Sequence, residues 1–269
     1  MAQWYDKYLS VYGKPFSEVP QDVVDGTRER LANLQSDKPL ASIVVIAYNE
    51  ESHLQACLWA ISEIVCKYPV EIIGVNNDSK DRTAEIFERS GIPYYTEYQH
   101  SCGYARRCGL LHSKGKYYFD VDSDTLYPPM YYELMIEQLL KPGIVAVSAT
   151  WTYFPDEKHG KLGLKLFELC RDLFLYVQHF KRPELSVRGL VFAYNAVRIF
   201  CGVKIVIEPH SVFNKLFFVL TECILAEQSV KCVINSAWNI LVIGFILERK
   251  IGFIGEFYAF RPFVSVNID

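Results

Sequence analysis

The stretch SIVVIAYNEE, residues 42–51, decides the fold that this sequence predicts. Its first six residues are almost continuously apolar, as expected for a short strand that is buried on both faces. Polar residues then end the strand, and an apolar stripe follows at helical spacing, formed by Leu54, Leu58, Ile61 and Val65. A buried strand that leads directly into an amphipathic helix is the repeating unit of a parallel α/β sheet.

The same alternation continues along the chain. The pattern predicts further strands over residues 70–75, 93–97 and 116–121, and helices over residues 81–90 and 104–113. Strands that alternate with helices of this length imply right-handed crossovers and a parallel sheet. We therefore predict an α/β fold, in which a mostly parallel sheet is flanked by helices. Ligands of such sheets bind at the carboxyl ends of the strands, and the polar motifs described below lie at such ends.

Outside this alternation the pattern is less regular. It predicts a helix over residues 128–140 with two prolines at its start, a strand over 144–150, and a long apolar helix over 162–180 that would line a cleft. Residues 1–40 are predicted to form a helical extension. Because the second helix of this extension, over 21–34, carries charges over most of its surface, we expect it to pack outside the main domain.

The composition argues against several classes of protein. Of the 269 residues, 51% are apolar and 22% are charged, which suffices for one sizeable core. A net charge of −3 does not favour a nucleic-acid partner. The eight cysteines form no C-x-x-C pair, so they are predicted to be free, mostly buried thiols of a reducing compartment. The first residues lack the apolar run of a signal peptide, and we expect a cytoplasmic protein.

Three aspartates at alternate positions lie at the end of the strand predicted over 116–121 and directly after it. They are Asp120, Asp122 and Asp124. Carboxylates this close raise one another's pKa unless a cation lies among them. Their oxygens suit Mg²⁺ or Mn²⁺, which typically binds one or two carboxylates together with substrate phosphates. The alternative is an acidic loop or a helix-capping turn before Pro128, since short acidic motifs are common by chance.

Three further motifs stand at strand ends or at the start of a helix. They are AYNEE at residues 47–51, VNNDSKDRT at 75–83 and GYARRCG at 103–109. Together with the aspartates they resemble, in order and spacing, the signatures of GT-A glycosyltransferases of family 2: P-x-Y-N-E, V-D-D-G-S-x-D-x-T, A-R-N-x-G and the metal-binding D-x-D motif. The resemblance covers about residues 41–130. It implies a GT-A domain over residues 41–200, with a nucleotide-sugar-binding half over 41–125 and an acceptor half over 126–200.

The resemblance assigns nucleotide-binding roles to matched positions. Ala47, Tyr48 and Glu50 would border the base and the ribose. Asn77 stands where the family usually has an aspartate that accepts a hydrogen bond from the base, and its amide oxygen can still accept, but without charge. Asn76 likewise replaces an aspartate, so the resemblance leaves open whether the donor is a UDP-sugar or a GDP-sugar.

Other matched positions belong to the diphosphate end of the donor. Arg106 would approach the nucleotide or its diphosphate, the alternative being an arginine on the surface of a helix. Asp122 and Asp124 would hold Mg²⁺ or Mn²⁺, with Asp122 also touching the donor, and Asp120 is the fallback ligand if the register lies two residues earlier. The implied reaction is the attack of an acceptor hydroxyl on an anomeric carbon, with the metal stabilising the departing nucleoside diphosphate.

The resemblance ends near Val197. Family members invert the anomeric configuration, which needs a general base, usually the second acid of a Glu-Asp pair. The sequence after Asn195 contains no such pair. Glu208 and Glu222 are weak candidates for the base, since lone acids in apolar surroundings are more often structural or exposed.

Residues 201–269 form an atypical apolar C-terminal segment with two apolar runs, at 216–226 and 233–247. The second run has 15 residues, short of the roughly 20 that cross a bilayer. We therefore favour buried strands or a contact with a membrane surface over a transmembrane span. A shift of the coding frame near Val197 is a further alternative, motivated by the abrupt loss of the family pattern.

These inferences lead to an expected function. The sequence indicates an inverting glycosyltransferase that moves a sugar from a UDP- or GDP-sugar to a glycan or lipid-linked acceptor in polysaccharide biosynthesis, in the cytoplasm or at the inner face of the cell membrane. One alternative is a degenerate member that binds nucleotide sugar without turnover, because the base is missing. Another is a nucleotidyltransferase, but residues 47–50 do not match the Gly-rich loop of that class. A Rossmann dehydrogenase is disfavoured, because no G-x-G-x-x-G follows the first strand.

Overall fold

Seven strands form one sheet in the part of the chain that the computed structural model describes, which is residues 3–142, 144–149, 151–153, 160–181, 192–196 and 264–267. The strands are β1 (Ala41–Ala47), β2 (Val70–Asn76), β3 (Tyr94–Thr96), β4 (Tyr117–Asp122), β5 (Ile144–Ser148), β6 (Phe192–Asn195) and β7 (Val264–Asn267). The helices are α1 (Gln21–Leu34), α2 (Leu54–Ser62), α3 (Thr83–Ser90), α4 (Cys102–His112), α5 (Tyr131–Leu139) and α6 (Lys161–Lys181), preceded by short 3-10 turns at Tyr8–Ser10 and Phe16–Glu18.

The sheet has a parallel and an antiparallel half, with the strand order β3-β2-β1-β4-β6-β5-β7. β1 pairs in parallel with β2 and β4, and β2 pairs in parallel with β3. β6 is antiparallel to β4 and β5, and β7 is antiparallel to β5. The predicted α/β class is confirmed. The chain leaves β1 on one side towards β3 and returns on the other side as β4, so the crevice between β1 and β4 is a topological switch point of the kind where ligands bind.

β1 lies at the centre of the sheet and is buried along all seven residues. Ile43 and Val45 belong to the core cluster that includes side chains of α1, α2, α3 and α5. Val44 and Ile46 pack on the opposite face, with Ala105 of α4. Helices thus cover both faces of the strand, which explains why an almost continuously apolar sequence is stable there. Each Val or Ile that is fully buried contributes about 1.5–3 kcal/mol relative to exposure.

Two glycines allow α4 and the turn after it to approach β1 closely. A Cβ atom on Gly109 would lie 2.3 Å from Cγ1 of Val44. A Cβ atom on Gly115 would lie 2.6 Å from both the carbonyl carbon of Ala41 and the nitrogen of Ser42. Since no larger residue fits at these two positions without a shift, α4 rests directly on the sheet. Its first turn is thereby held at the carboxyl edge of the parallel strands.

The N-terminal residues share the main core of the domain. The helix predicted over residues 21–34 is confirmed as α1. However, Val24 and Leu31 of α1 and Phe16 of the preceding turn are buried in the same cluster as Ile43 of β1. The expectation that this helix packs outside the main domain is therefore wrong. A narrow apolar stripe on a charged helix was sufficient to bury one face of α1 against α2 and α3.

Several element boundaries differ from the prediction for local reasons. Val65 lies beyond the end of α2 and is 56% exposed, so it does not belong to the buried stripe. α5 begins at Tyr131, whose N–H donates to the carbonyl of Pro128 at 2.9 Å, instead of at the prolines themselves. α4 begins two residues earlier than predicted, because the side chain of Ser101 caps it by accepting from the N–H of Gly103 at 3.3 Å.

Five cysteines lie in the described part of the chain, and all are free thiols. Cys57 and Cys108 are buried, Cys66 and Cys102 are partly buried and Cys170 is exposed, so burial is less general than the sequence suggested. None of the helices that the structure describes has the length and apolarity of a membrane span. The apolar runs at 216–226 and 233–247 lie outside the described residues.

Candidate functional site

A cavity of about 370 Å³ opens at the carboxyl edge of the sheet, beside the ends of β1, β2 and β4 and the first turns of α4. It is lined by Ile46, Ala47, Tyr48, Glu50, Asn77, His100, Ser101, Cys102, Ala105, Arg106, Asp122, Ser123 and Asp124. Seven residues that the sequence motifs singled out are therefore brought together on one surface. Of the predicted site residues that the structure describes, Asp120 alone is absent from this lining.

The loops that follow β1 and β2 are tied together by a ladder of side-chain hydrogen bonds. Three successive N–H groups of the first loop donate to three alternate side chains of the second: Asn49 to Ser79 at 3.0 Å, Glu50 to Thr83 at 2.9 Å and Glu51 to Asp81 at 3.0 Å. This pairing gives a structural reason for Ser79, Asp81 and Thr83 in the segment SKDRT. They hold the loop that carries Tyr48 and Glu50 at the rim of the cavity.

The acidic side of the cavity is formed by Asp122, at the end of β4, and Asp124, in the turn that follows. The backbone N–H of Asp122 donates to the hydroxyl of the buried Tyr127 at 3.2 Å, which fixes the start of this turn. Burial and then the charges of Asp122 and Glu50 raise the pKa of Asp124 above its ordinary value. The site thus concentrates negative charge that a cation would relieve.

Arg106 lies behind the acidic side and is only 4% exposed. Its guanidinium forms an ion pair with Asp120, and its Nη2 donates to Oδ1 of Asp122 at 2.9 Å. Although burial acts to lower the pKa of Arg106, the two carboxylates raise it on balance, so the guanidinium stays charged. The alternative of a surface arginine is therefore wrong. Asp120 is buried in this triad, behind the cavity, whereas Asp122 belongs both to the triad and to the cavity lining.

Asn77 uses its amide to fasten the loop between β3 and α4. Its Nδ2 donates to the carbonyl oxygens of Glu97 at 2.8 Å and Gln99 at 2.7 Å, and its Oδ1 accepts from the N–H of Ser101 at 3.0 Å. An aspartate could not make the first two bonds, since a carboxylate has no donor. Asparagine, in place of the usual aspartate, therefore allows this residue to bind the two carbonyl oxygens of the loop.

Two exposed rings face each other at the mouth of the cavity. The centroids of Tyr48 and His100 are 5.4 Å apart in an edge-to-face arrangement, and about half of Tyr48 is exposed. His100 also lies 3.3 Å from a carboxylate oxygen of Asp78, a residue that adopts a left-handed φ of 54°. The sequence motifs did not identify His100. From the sequence, the loop that carries His100 could be recognised only as the segment before α4. The position of this loop, and with it that of the His100 ring, depends on the hydrogen bonds of Asn77.

A further group of side chains supports the acidic side from behind. His53 Nδ1 lies 2.7 Å from a carboxylate oxygen of Glu50, and this hydrogen bond raises the pKa of His53. The ring of Tyr12 packs against His53 with centroids 4.6 Å apart, and its hydroxyl donates to the carbonyl oxygen of Asp124 at 2.7 Å. Burial and then the charge of Asp124 raise the pKa of Tyr12 to about 12, so the phenol remains a donor. Sequence reasoning missed both Tyr12 and His53.

The base candidates Glu208 and Glu222 lie outside the described residues. Within the described ranges, no three His, Cys, Asp or Glu side chains are grouped so that they would hold a metal ion by themselves. The roles predicted for the lining residues, including metal binding by Asp122 and Asp124, stay predictions at this point.

The fold and the cavity define an α/β protein with a cavity, lined in part by polar and charged side chains, at the switch point of its sheet. Within that class the chain belongs to glycosyl transferase family 2, because the sequence profile of this family matches residues 42–200, more than half of the chain. The resemblance drawn from the four motifs is confirmed. GT-A glycosyltransferase is accordingly the fold class of the described domain.

Two curated relatives are uncharacterized glycosyltransferases of Rickettsia. The protein of Rickettsia prowazekii is 34% identical over 105 residues, which cover 38% of this chain and 33% of the relative. The protein of Rickettsia typhi is 30% identical over 152 residues, which cover 50% of this chain and 48% of the relative. The chain thus spans a third to a half of the length of these relatives. Among solved structures, glucosyl-3-phosphoglycerate synthase from Mycobacterium tuberculosis in complex with uridine diphosphate has a TM-score of 0.46 and 18% identity, covering 86% of each chain.

Proposed function

We propose that this family 2 chain is an inverting glycosyltransferase that moves a sugar from a UDP- or GDP-sugar to a hydroxyl of a glycan or lipid-linked acceptor in polysaccharide biosynthesis. The observation that carries the proposal is the convergence of seven motif residues, from four separate segments, on one cavity at the carboxyl edge of the sheet. In a chain of this family, such a convergence supports a donor site.

Asp122 and Asp124 are proposed to hold Mg²⁺ or Mn²⁺ together with the diphosphate of the donor. Both line the cavity, and hard divalent cations prefer carboxylate oxygens. Burial and then the charges of Asp122 and Glu50 raise the pKa of Asp124, and a cation at this position would offset both effects by stabilising the ionised carboxylate. The described residues offer no group of three protein ligands, which suits a site where phosphate oxygens complete the coordination. When bound, such an ion stabilises the charge on the departing nucleoside diphosphate.

The base and the ribose are proposed to be bordered by Ala47, Tyr48 and Glu50, with Asn77 beside the base. The half-exposed ring of Tyr48 presents an aromatic face, and stacking of a base on such a face contributes about 1–3 kcal/mol. The side-chain amide oxygen of Asn77, Oδ1, has two lone pairs. The N–H of Ser101 uses one of them, so the other can accept a hydrogen bond from the base. Arg106 is proposed to act on the diphosphate end by holding Asp122 in place.

The acceptor half, over residues 126–200, and the general base complete the proposal. Glu208 and Glu222 remain weak candidates for the base. The acceptor is proposed to approach the sugar from the side of α6. The chain is proposed to act in the cytoplasm, at the inner face of the cell membrane, where a lipid-linked acceptor would be available.

A donor panel tests the proposal. UDP, GDP and their common sugar conjugates would be titrated into the chain with and without Mn²⁺, with binding followed by calorimetry and turnover by release of the nucleoside diphosphate. Saturable, Mn²⁺-dependent binding of one nucleotide class is the expected result, and the anomeric configuration of any product would be read by NMR. No binding across the panel would overturn the donor site. Binding without turnover, with acceptors present, would favour the degenerate alternative, which the missing Glu-Asp pair keeps open.

A further inference from the structure

The N-terminal segment reaches the acidic side of the cavity. The hydroxyl of Tyr12 donates to the carbonyl oxygen of Asp124 at 2.7 Å, across 112 positions in the sequence. Asp124 lies in a turn after β4, in which the N–H of Thr125 donates to the carbonyl of Asp122 at 3.3 Å and the N–H of Asp122 donates to the hydroxyl of Tyr127 at 3.2 Å. The contact from Tyr12 is shorter than both of these bonds, and it acts directly on the main chain of Asp124.

Tyr12 is itself held in place from both sides. Tyr8 and Val11 are buried in a small cluster with Ala56 and Leu126, which joins the N-terminal segment to α2 and to the loop beyond Asp124. The N–H of Gly13 donates to the carbonyl of Ser52 at 2.8 Å, just before α2. The segment that carries Tyr12 is thus anchored both to α2, with the loop before it, and to the loop that follows Asp124.

The ring of Tyr12 is linked through His53 to a second carboxylate that lines the cavity. It packs on His53, and His53 is hydrogen-bonded to Glu50, which lines the cavity. Tyr12 consequently touches the support of Glu50 with its ring and the main chain of Asp124 with its hydroxyl. A ligand constellation works when its members are held within about 0.5 Å of the productive geometry by neighbouring groups.

We propose that Tyr12 is a positioning residue for the divalent cation: it fixes the Asp124 turn relative to Glu50 and so sets the affinity of the site for Mg²⁺ or Mn²⁺. The inference rests on the proposed function, since it needs Asp124 to bind the ion. It assigns part of the donor site to the first 40 residues, which lie outside the stretch that the family profile matches.

The variant Tyr12→Phe tests this role, because it keeps the ring on His53 and removes only the hydroxyl. The loss of one hydrogen bond to a ligand-bearing turn predicts Mn²⁺ binding that is about twofold to tenfold weaker, measured by electron paramagnetic resonance of free Mn²⁺ in the presence of the nucleotide that the wild-type chain binds. Nucleotide affinity in EDTA should stay unchanged, and this measurement also reports that the pocket is folded.

Two matched variants serve as controls. Tyr8→Phe removes a hydroxyl from the same segment, where it donates to Glu63 at 2.8 Å, and Tyr94→Phe removes one that donates to Glu88 at 2.8 Å, on the edge strand. Both should keep the wild-type affinity for Mn²⁺. An unchanged Mn²⁺ affinity in Tyr12→Phe, or an equal loss of affinity with and without the metal, would overturn the positioning role. A wild-type chain that binds nucleotide but shows no effect of Mn²⁺ would instead overturn the proposed metal site, and the role of Tyr12 with it.

Discussion

Replacing Asn77 with aspartate would restore the residue that the family usually has at this position, yet we expect the variant to be less stable. Asn77 is 5% exposed, and its Nδ2 donates to the carbonyl oxygens of Glu97 and Gln99. A carboxylate cannot donate, so the carbonyl of Glu97 would lose its partner, whereas the carbonyl of Gln99 would keep the N–H of Ser101 at 2.8 Å. Both carbonyls would face a negative charge. The bond from the N–H of Ser101 to the side-chain oxygen would be retained. The one acceptor left without a donor costs about 1–3 kcal/mol, and the buried charge that faces both carbonyls adds to this cost, so we predict a total loss of about 2–4 kcal/mol.

The loss should depend on pH in a defined direction. Burial and the two carbonyl dipoles would raise the pKa of the new carboxyl above its unfolded value of about 3.9. A carboxyl whose pKa is raised in the folded state lowers the free energy of unfolding least below its unfolded pKa, because it is neutral in both states there. The destabilisation then grows as the pH rises through the folded pKa. We therefore expect Asn77→Asp to be closer to wild type at about pH 5 than at about pH 8.

Urea unfolding followed by tryptophan fluorescence would measure both effects, with Asn77→Ala as the matched control. The alanine variant loses the same two donors without adding a charge, so its loss of stability should be smaller at about pH 8 and should not depend on pH in this way. Nucleotide affinity should fall in both variants, because the loop that carries His100 and Ser101 would loosen. An aspartate variant that is as stable as wild type at high pH and binds UDP more tightly would refute the assignment of Asn77 as a loop fastener.

Three further substitutions test other parts of the site and the fold. Asp124→Asn is expected to abolish metal-dependent donor binding; unchanged affinity in Mn²⁺ titration calorimetry would contradict the metal assignment. Tyr48→Ala should weaken nucleotide binding more than it lowers thermal stability, because the ring is half exposed, and equal destabilisation with intact affinity would refute this. Gly115→Ala should lower the free energy of unfolding by about 1–3 kcal/mol, since its Cβ would meet the backbone of Ala41. The control Gly163→Ala, which meets open space, should be close to neutral, and similar urea midpoints for the two variants would argue against the close approach.

The convergence of the motif residues was predictable from the sequence because it needs only two local facts. Each motif follows a buried strand or opens a helix, and the carboxyl ends of parallel strands share one edge of the sheet. The apolar run of β1 revealed its burial on both faces, and the spacing of apolar residues revealed α2 and α3. These features depend on neighbours within a few residues, which a single sequence displays directly.

The features that the sequence did not reveal depend on contacts between distant segments. Whether Arg106 faces solvent or the core is decided by Asp120 and Asp122, which lie on another element. Tyr12 is ordinary in its local sequence, and its proposed role appears only when residues 8–13 pack against α2. The exposure of Val65 follows from the end of α2 at Ser62, which no capping residue in the sequence announced. Long-range packing overrides local pattern in each case.

The burial of α1 has a practical consequence for work with this protein. The family profile starts at residue 42, but the apolar face of the sheet below β1 and β2 is closed by Phe16, Val24 and Leu31. A recombinant fragment trimmed to the matched residues would leave that face uncovered and would be expected to aggregate or to unfold easily. The residues that the family profile matches and the residues that fold together therefore begin at different positions, and the first 40 residues should be retained in any shorter fragment of this domain.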